Sequence, residues 1–73
     1  MPAKKRFTKK EAREIRSLLR EKAAASSIKQ KNIRAKLRRL SFYITDFDRS
    51  YSGFTVSDFE SLIARGMIII IDG

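Results

Sequence analysis

Apolar side chains recur at helical spacing through the first forty residues and predict two amphipathic helices. The first stripe follows an i, i+3, i+7, i+11 pattern and is widened by Leu18; its members are Ala12, Ile15, Leu19 and Ala23. The second stripe is narrower and ends near Leu40; its members are Ile33, Leu37 and Leu40. A short Ser26-Ser27 break separates the helices, which favours a helical hairpin or a helix-turn-helix crossing.

Capping residues give both helices a predicted start. Thr8 is followed three residues later by Glu11, the spacing of a capping box, and Phe7 stands where a hydrophobic staple would. Ser27 and Gln30 repeat that spacing before the second stripe. We therefore expect Thr8 and Ser27 to be the N-caps of the two helices.

The pattern changes after Leu40. Residues 42–47 are rich in aromatic and β-branched side chains and predict a strand, and residues 48–53 predict a polar loop. Thr55 with Asp58 predicts a third capped helix, which Gly66 would end. Residues 67–71 predict a second strand. The 19 residues from 48 to 66 could connect parallel strands, and an antiparallel pair is also compatible with the pattern.

The predicted fold class is therefore α+β, a small single domain in the order α-α-β-α-β. A basic helical hairpin would pack on a two-stranded β-α-β unit at residues 8–73, preceded by a flexible basic arm at residues 1–7. The last strand is apolar on both faces, so either helices cover it or its edge pairs with another chain. That edge predicts a possible homodimer or partner-protein contact through Met67, Ile68, Ile69, Ile70 and Ile71.

Charge is distributed unequally between the two halves. Residues 1–40 hold fifteen Lys/Arg and three Glu, whereas residues 41–73 hold two Arg and five acidic residues, and the whole chain has a formal charge of +9. This asymmetry indicates a polyanionic partner, with nucleic acid favoured. The predicted phosphate-binding residues are Lys4, Lys5, Arg6, Lys9, Arg13, Arg16, Arg20, Lys29, Lys31, Arg34, Lys36, Arg38 and Arg39.

Two finer interpretations of this cationic half stay open. Gln30, Asn32 and Arg34 near the start of the second helix are residue types that read base edges in the major groove. Tyr43 or Tyr51 could stack on unpaired bases, although most aromatic rings of so small a chain are needed for its core. Duplex DNA is favoured over RNA because helices, and not an aromatic sheet, carry the charge.

Catalytic and metal chemistry find little support in the composition. The chain has no His and no Cys, which removes the commonest general base and the commonest metal ligands, so we expect a non-enzyme without cofactor or metal. Asp46, Asp48 and Ser50 match the start of a calcium loop, but Tyr51 and Ser57 occupy the positions that need Gly and Glu. No apolar run is long enough for a membrane span. We expect a cytoplasmic nucleic-acid-binding domain; the alternative is a protein-interaction module that uses the apolar C-terminal edge.

Overall fold

A computed structural model describes residues 5–47 and 53–72. The elements follow in the order β1 (Arg6–Thr8), α1 (Lys9–Ala23), α2 (Ser27–Arg39), a 3₁₀ turn (Ile44–Asp46), α3 (Val56–Ala64) and β2 (Ile69–Ile71). The radius of gyration is 11.5 Å, close to the value of about 11 Å for a compact chain of this length. The predicted class, a small α+β fold in which two helices pack as a hairpin, is confirmed.

Helix α1 occupies the centre of the fold and packs against both strands, α2 and α3. Its apolar stripe is buried as predicted at Ala12, Ile15 and Leu19, but Ala23, predicted to continue it, is exposed at the end of the helix. The core also contains an aromatic cluster around Phe42, whose ring lies 5.6 to 6.0 Å, centroid to centroid, from four others: Phe7, Phe47, Phe54 and Phe59. The core therefore joins residues from both ends and the middle of the chain.

Two of the three predicted capping boxes are confirmed. The Thr8 hydroxyl accepts from the Glu11 N–H at 3.1 Å, and the Glu11 carboxylate accepts from the Thr8 N–H at 2.9 Å. Thr55 and Asp58 form the same reciprocal pair at the start of α3.

The predicted box between Ser27 and Gln30 was wrong. The N-cap of α2 is Ser26, one residue earlier, and its side chain makes no capping hydrogen bond. Gln30 thus falls one position too late to complete a box, and its side-chain nitrogen donates instead to the Ala25 carbonyl at 3.2 Å.

The predicted strand at residues 42–47 was also wrong. Helix α2 ends in a tight turn with Ser41 at φ 61°, and this turn delivers Phe42 directly into the core. The next residues form the 3₁₀ turn Ile44–Asp46. A strand needs a partner for its backbone groups, so burial of the aromatic side chains prevailed over their strand propensity.

The first strand lies instead in the segment assigned to the arm. Arg6 and Phe7 belong to β1, and Phe7 is completely buried, so these two residues are not part of a flexible arm. The strands β1 and β2 pair in parallel with Arg6 opposite Ile69 and Thr8 opposite Ile71. Residues 1–4 of the predicted arm lie outside the described residues.

The C-terminal strand is shorter than predicted and is covered on one face. Ile68 precedes β2 and is buried. Ile70, the middle residue of β2, is partly buried and packs against the core. Ile69 and Ile71 remain 45% and 41% exposed. Both arrangements left open by the sequence paired this strand with residues 42–47, and neither is observed, because β2 pairs in parallel with β1.

Candidate nucleic-acid interface

Most of the predicted phosphate-binding residues are exposed. Of the thirteen, eleven lie on the surface, Arg16 is half-buried, and Lys4 lies outside the described residues. Six of the exposed cations belong to α2, a helix of 13 residues that contains no acidic residue; they are Lys29, Lys31, Arg34, Lys36, Arg38 and Arg39. Helix α2 is therefore the most concentrated source of positive charge in the chain.

Rotation about the helix axes decides which of these cations share a surface. Each residue turns the helix by about 100°, so side chains seven apart lie only about 20° from each other. The side of the hairpin opposite the buried stripes presents exposed cations from both helices. We call it the outer helical surface; it consists of Lys10, Arg13 and Arg20 on α1 and Lys31, Arg38 and Arg39 on α2.

A groove with mixed charge runs between the two helices. One cavity in it, of about 290 Å³, has Glu14 and Leu18 on the α1 side and Lys36 and Arg39 on the α2 side. A second, of about 470 Å³, places Glu21 opposite Lys29. Glu14 and Glu21 thus face the groove and the basic flank of α2, so Lys29, Lys36 and Arg39 have acidic side chains across the groove.

The side chain of Arg16 contacts α3 and is not part of the outer helical surface. Its guanidinium forms an ion pair with Glu60, in which Nη2 donates to Oε2 at 3.3 Å, and it lies 5.6 Å from the centroid of the Phe59 ring. The sequence placed Arg16 in one phosphate-binding row with Arg13 and Arg20. Arg16 is a helical neighbour of both, three residues after Arg13 and four before Arg20. Its guanidinium is engaged by Glu60 and Phe59 of α3, however, and is therefore less available to a ligand.

The strand region carries its own cations. Lys9 Nζ lies 2.9 Å from the Asp72 carboxylate, and both side chains are highly exposed. Lys5 and Arg6 are exposed beside them, with Arg6 opposite Ile69 in the sheet. An exposed ion pair of this kind contributes little to stability. An external anion can therefore replace Asp72 as the partner of Lys9.

Lys22 is the one basic residue of α1 that is removed from the surface. It is 3% exposed, and its ammonium donates to the backbone carbonyl of Phe54 at 2.9 Å. Burial lowers the pKa of Lys22, and the negative charge of Asp58 partly opposes that shift. Lys22 therefore fixes the chain before α3 against α1. In the sequence Lys22 is one of the fifteen basic residues of the N-terminal half, and nothing in the pattern distinguishes it as buried.

An exposed aromatic ring adjoins the opposite flank of α2. Tyr43 is 44% exposed and lines a small cavity together with Arg34, Arg38 and Thr45. Of the two tyrosines considered for base stacking, Tyr43 is thus next to cations, whereas Tyr51 lies outside the described residues. The calcium-loop residues Asp48 and Ser50 lie outside them as well.

The outer helical surface combines five of the predicted phosphate-binding residues with one residue that was not predicted, Lys10. Lys10 was not among the predicted phosphate-binding residues, yet it shares the outer helical surface with Arg13. Counting the helical rotation from the buried stripe would have found it. Gln30, considered for base readout, has its amide directed to the Ala25 carbonyl instead.

The chain matches no protein-family model, and neither a curated protein nor a solved structure shows detectable similarity to it. Within residues 5–47 and 53–72, no helix has the length and apolar character needed to cross a membrane.

Proposed function

We propose that this protein binds nucleic acid through the outer helical surface of the α1–α2 hairpin, mainly by contacts to phosphates. The observation that carries the proposal is the charge of α2: six exposed Lys/Arg in 13 residues, with no acidic residue in the helix. The adjoining cations of α1 extend this surface across a second helix. Clustered cations on one face are the electrostatic footprint of nucleic-acid binders.

Of the four acidic residues nearest to this surface, two are used elsewhere and two line the groove at its edge. Glu11 belongs to the capping box of α1, Glu60 pairs with Arg16, and Glu14 and Glu21 face the groove. Glu14 is four residues from Lys10 and lines the groove with Arg39, so these two cations have an acidic neighbour, whereas α2 itself contains no acidic residue to offset its charge. A bound polyanion would supply the missing negative charge.

Like charges on α2 also favour an anionic partner. Arg34 and Arg38 are four residues apart, a spacing at which two like charges cost a helix about 0.2–0.5 kcal/mol. A small domain has little stability to spare, so phosphates that relieve this repulsion stabilise the bound form. Binding should accordingly weaken as salt rises, because the released counterions supply much of the driving force.

Duplex DNA fits this surface better than a single strand does. Two packed helices with axes about 8–10 Å apart offer a broad cationic face, with the charge on helices and not on an aromatic sheet. The bonded amide of Gln30 weakens the case for base readout by α2. We therefore propose binding dominated by phosphates, with little sequence preference.

An amide NMR titration with a short DNA duplex tests the proposal. Chemical-shift changes should cluster on the outer helical surface, and duplex DNA should compete with heparin. Arg38→Glu should reduce affinity strongly. Arg65→Glu is the matched control, because it makes the same charge change at an exposed arginine at the end of α3. Equal losses for the two variants, or equal shifts over the whole chain, would count against a defined interface.

The same titration with single-stranded DNA separates duplex binding from base stacking. Tyr43→Ala should leave duplex affinity nearly unchanged. If Tyr43→Ala instead removes most of the affinity for a single strand, and the single strand binds more tightly than the duplex, the site is a stacking platform beside Arg34 and Arg38.

A further inference from the structure

The C-terminal strand presents apolar side chains to solvent on alternate positions. Met67, Ile69 and Ile71 are 36%, 45% and 41% exposed, and they alternate with the buried Ile68 and half-buried Ile70. Within β2 (Ile69–Ile71) this period of two places Ile69 and Ile71 on one face of the sheet, and Met67 lies just before the strand. That face points away from α1 and the core.

The backbone of β2 is available along one edge. In the parallel ladder, the Ile69 N–H donates to the Lys5 carbonyl at 2.8 Å, and the register sets Phe7 opposite Ile70. Parallel pairing uses alternate residues, so Ile69 and Ile71 bond to β1 while the N–H and C=O of Ile70 point the other way. Among the described residues, β2 pairs with β1 and with no strand on this second side.

We infer that two copies of the chain associate through this edge, with β2 antiparallel to β2 of the second copy about a two-fold axis at Ile70. The outward N–H and C=O of each Ile70 then bond reciprocally to those of the other. The result is a four-stranded sheet in the order β1-β2-β2-β1. A two-stranded sheet of three-residue strands has only marginal stability by itself, and a four-stranded sheet is more stable.

The sequence of β2 is self-complementary in this arrangement. With Ile70 opposite Ile70 of the second copy, Ile69 of each chain lies directly opposite Ile71 of the other, on the exposed face. The two exposed isoleucines of each copy thus form two apolar cross-strand pairs, which stabilise the contact. An isologous contact of this type closes as a dimer and does not propagate.

Charge disfavours the basic hairpin as the contact between two copies and is compatible with contact at this edge. Two molecules of formal charge +9 repel, and the repulsion is greatest where the hairpins approach. Residues 66–72 contain no Lys or Arg and one acidic residue, Asp72, which is paired with Lys9. The β2 edge is therefore a place where two copies can meet while their basic helices stay apart.

Sedimentation equilibrium from micromolar to millimolar protein tests the inference. The apparent mass should rise toward that of two chains, and more so at higher salt, which screens the repulsion. Nucleic-acid binding should weaken over the same salt range, so the two properties can succeed or fail separately. A wild-type protein that stays monomeric up to millimolar concentration would overturn the inference.

Charged pairs in place of the isoleucines test the register. The double variant Ile69→Lys with Ile71→Lys sets like charges opposite each other and should weaken the dimer by more than about tenfold. The double variant Ile69→Lys with Ile71→Glu sets opposite charges in contact and should still dimerise. Far-UV circular dichroism checks that both remain folded, which their exposed positions favour.

Ile28→Lys is the matched control, because Ile28 is 77% exposed on α2, away from the sheet. It should leave dimerisation unchanged. The inference is wrong if the double-lysine variant dimerises like the wild type, if the Lys/Glu variant is as monomeric as the double-lysine variant, or if Ile28→Lys alone abolishes the dimer.

Discussion

Replacing Ser41 by glycine should stabilise the fold, and replacing Gly66 by alanine should destabilise it, because the two residues occupy equivalent turns. Ser41 follows the end of α2 at φ 61°, and Gly66 follows the end of α3 at φ 77°. Each turn closes with two backbone bonds to the preceding helix. Ser41 and Phe42 donate to Arg38 and Leu37 at 2.9 and 3.0 Å.

Gly66 and Met67 donate in the same way to Ile63 and Leu62, at 3.1 and 2.9 Å. This pair of bonds is a Schellman motif, in which the left-handed residue is usually glycine. Serine at the α2 motif carries a Cβ that the left-handed conformation disfavours. The motif nevertheless forms there, because it brings Phe42 into the centre of the aromatic cluster.

The magnitude follows from two opposing terms. The left-handed conformation costs an L-residue about 1–2 kcal/mol, and glycine loses about 0.5–1 kcal/mol more backbone entropy on folding. The net gain for Ser41→Gly is thus about 1 kcal/mol. Gly66→Ala should cost a similar amount, since a Cβ at Gly66 would meet no atom within 4 Å and only the backbone strain is left. In a domain of this size, about 1 kcal/mol moves the melting temperature by about 4–8 °C.

Urea unfolding followed by far-UV circular dichroism measures both changes. The midpoint should rise for Ser41→Gly and fall for Gly66→Ala, with the slope m unchanged. Ser41→Ala is the control, because it removes the exposed hydroxyl and keeps the Cβ, and its midpoint should stay near that of the wild type. If Ser41→Gly and Ser41→Ala shift the midpoint equally, the left-handed turn at Ser41 is refuted.

Two further predictions concern Lys22 and Arg16, basic side chains of α1 that contact α3 or the chain leading into it. Lys22→Ala should lower the free energy of unfolding by about 1.5–3 kcal/mol in urea titrations, because the Phe54 carbonyl loses a charged donor, whereas the exposed Arg20→Ala should change it by less than about 0.5 kcal/mol. Since folding lowers the pKa of Lys22, the wild type should gain stability over Lys22→Ala as pH rises toward the ordinary value of 10.5. A double-mutant cycle on Arg16 and Glu60, which are 33% and 47% exposed, should give a coupling of about 0.2–1 kcal/mol. Arg16→Ala should then reduce DNA affinity less than Arg20→Ala, and the opposite order would contradict the separation of Arg16 from the outer helical surface.

Local signals in the sequence predicted the helices well. The capping boxes at Thr8 and Thr55 and the stop at Gly66 involve residues at most a few positions apart, so spacing alone reveals them. The pairing of β1 with β2 joins the two ends of the chain, and no local pattern encodes it. Residues 42–47 have a high strand propensity but form no strand, because no partner strand lies beside them in the described residues; the sequence pattern alone does not reveal this either.

The candidate interface was predicted in composition but not in arrangement. Helical spacing placed the cations on α1 and α2, but which of them face a neighbour depends on tertiary contacts. Arg16 turns toward Glu60 because α3 packs beside α1, and Lys22 is buried by the chain that leads into α3. Lys10 is on the outer helical surface for a purely geometric reason, its rotation from the buried stripe.

Fluorescence anisotropy of a short labelled DNA duplex, measured over a range of salt concentrations, tests the central claim most directly. The logarithm of the binding constant should fall linearly with the logarithm of the salt concentration, by about 0.9 per phosphate contact, or about 5 if all six cations of the outer helical surface take part. Arg38→Glu should lower that slope by about 1 or more, and Arg65→Glu should leave it unchanged. A slope near zero, or the same loss of slope for both variants, would contradict binding through the outer helical surface.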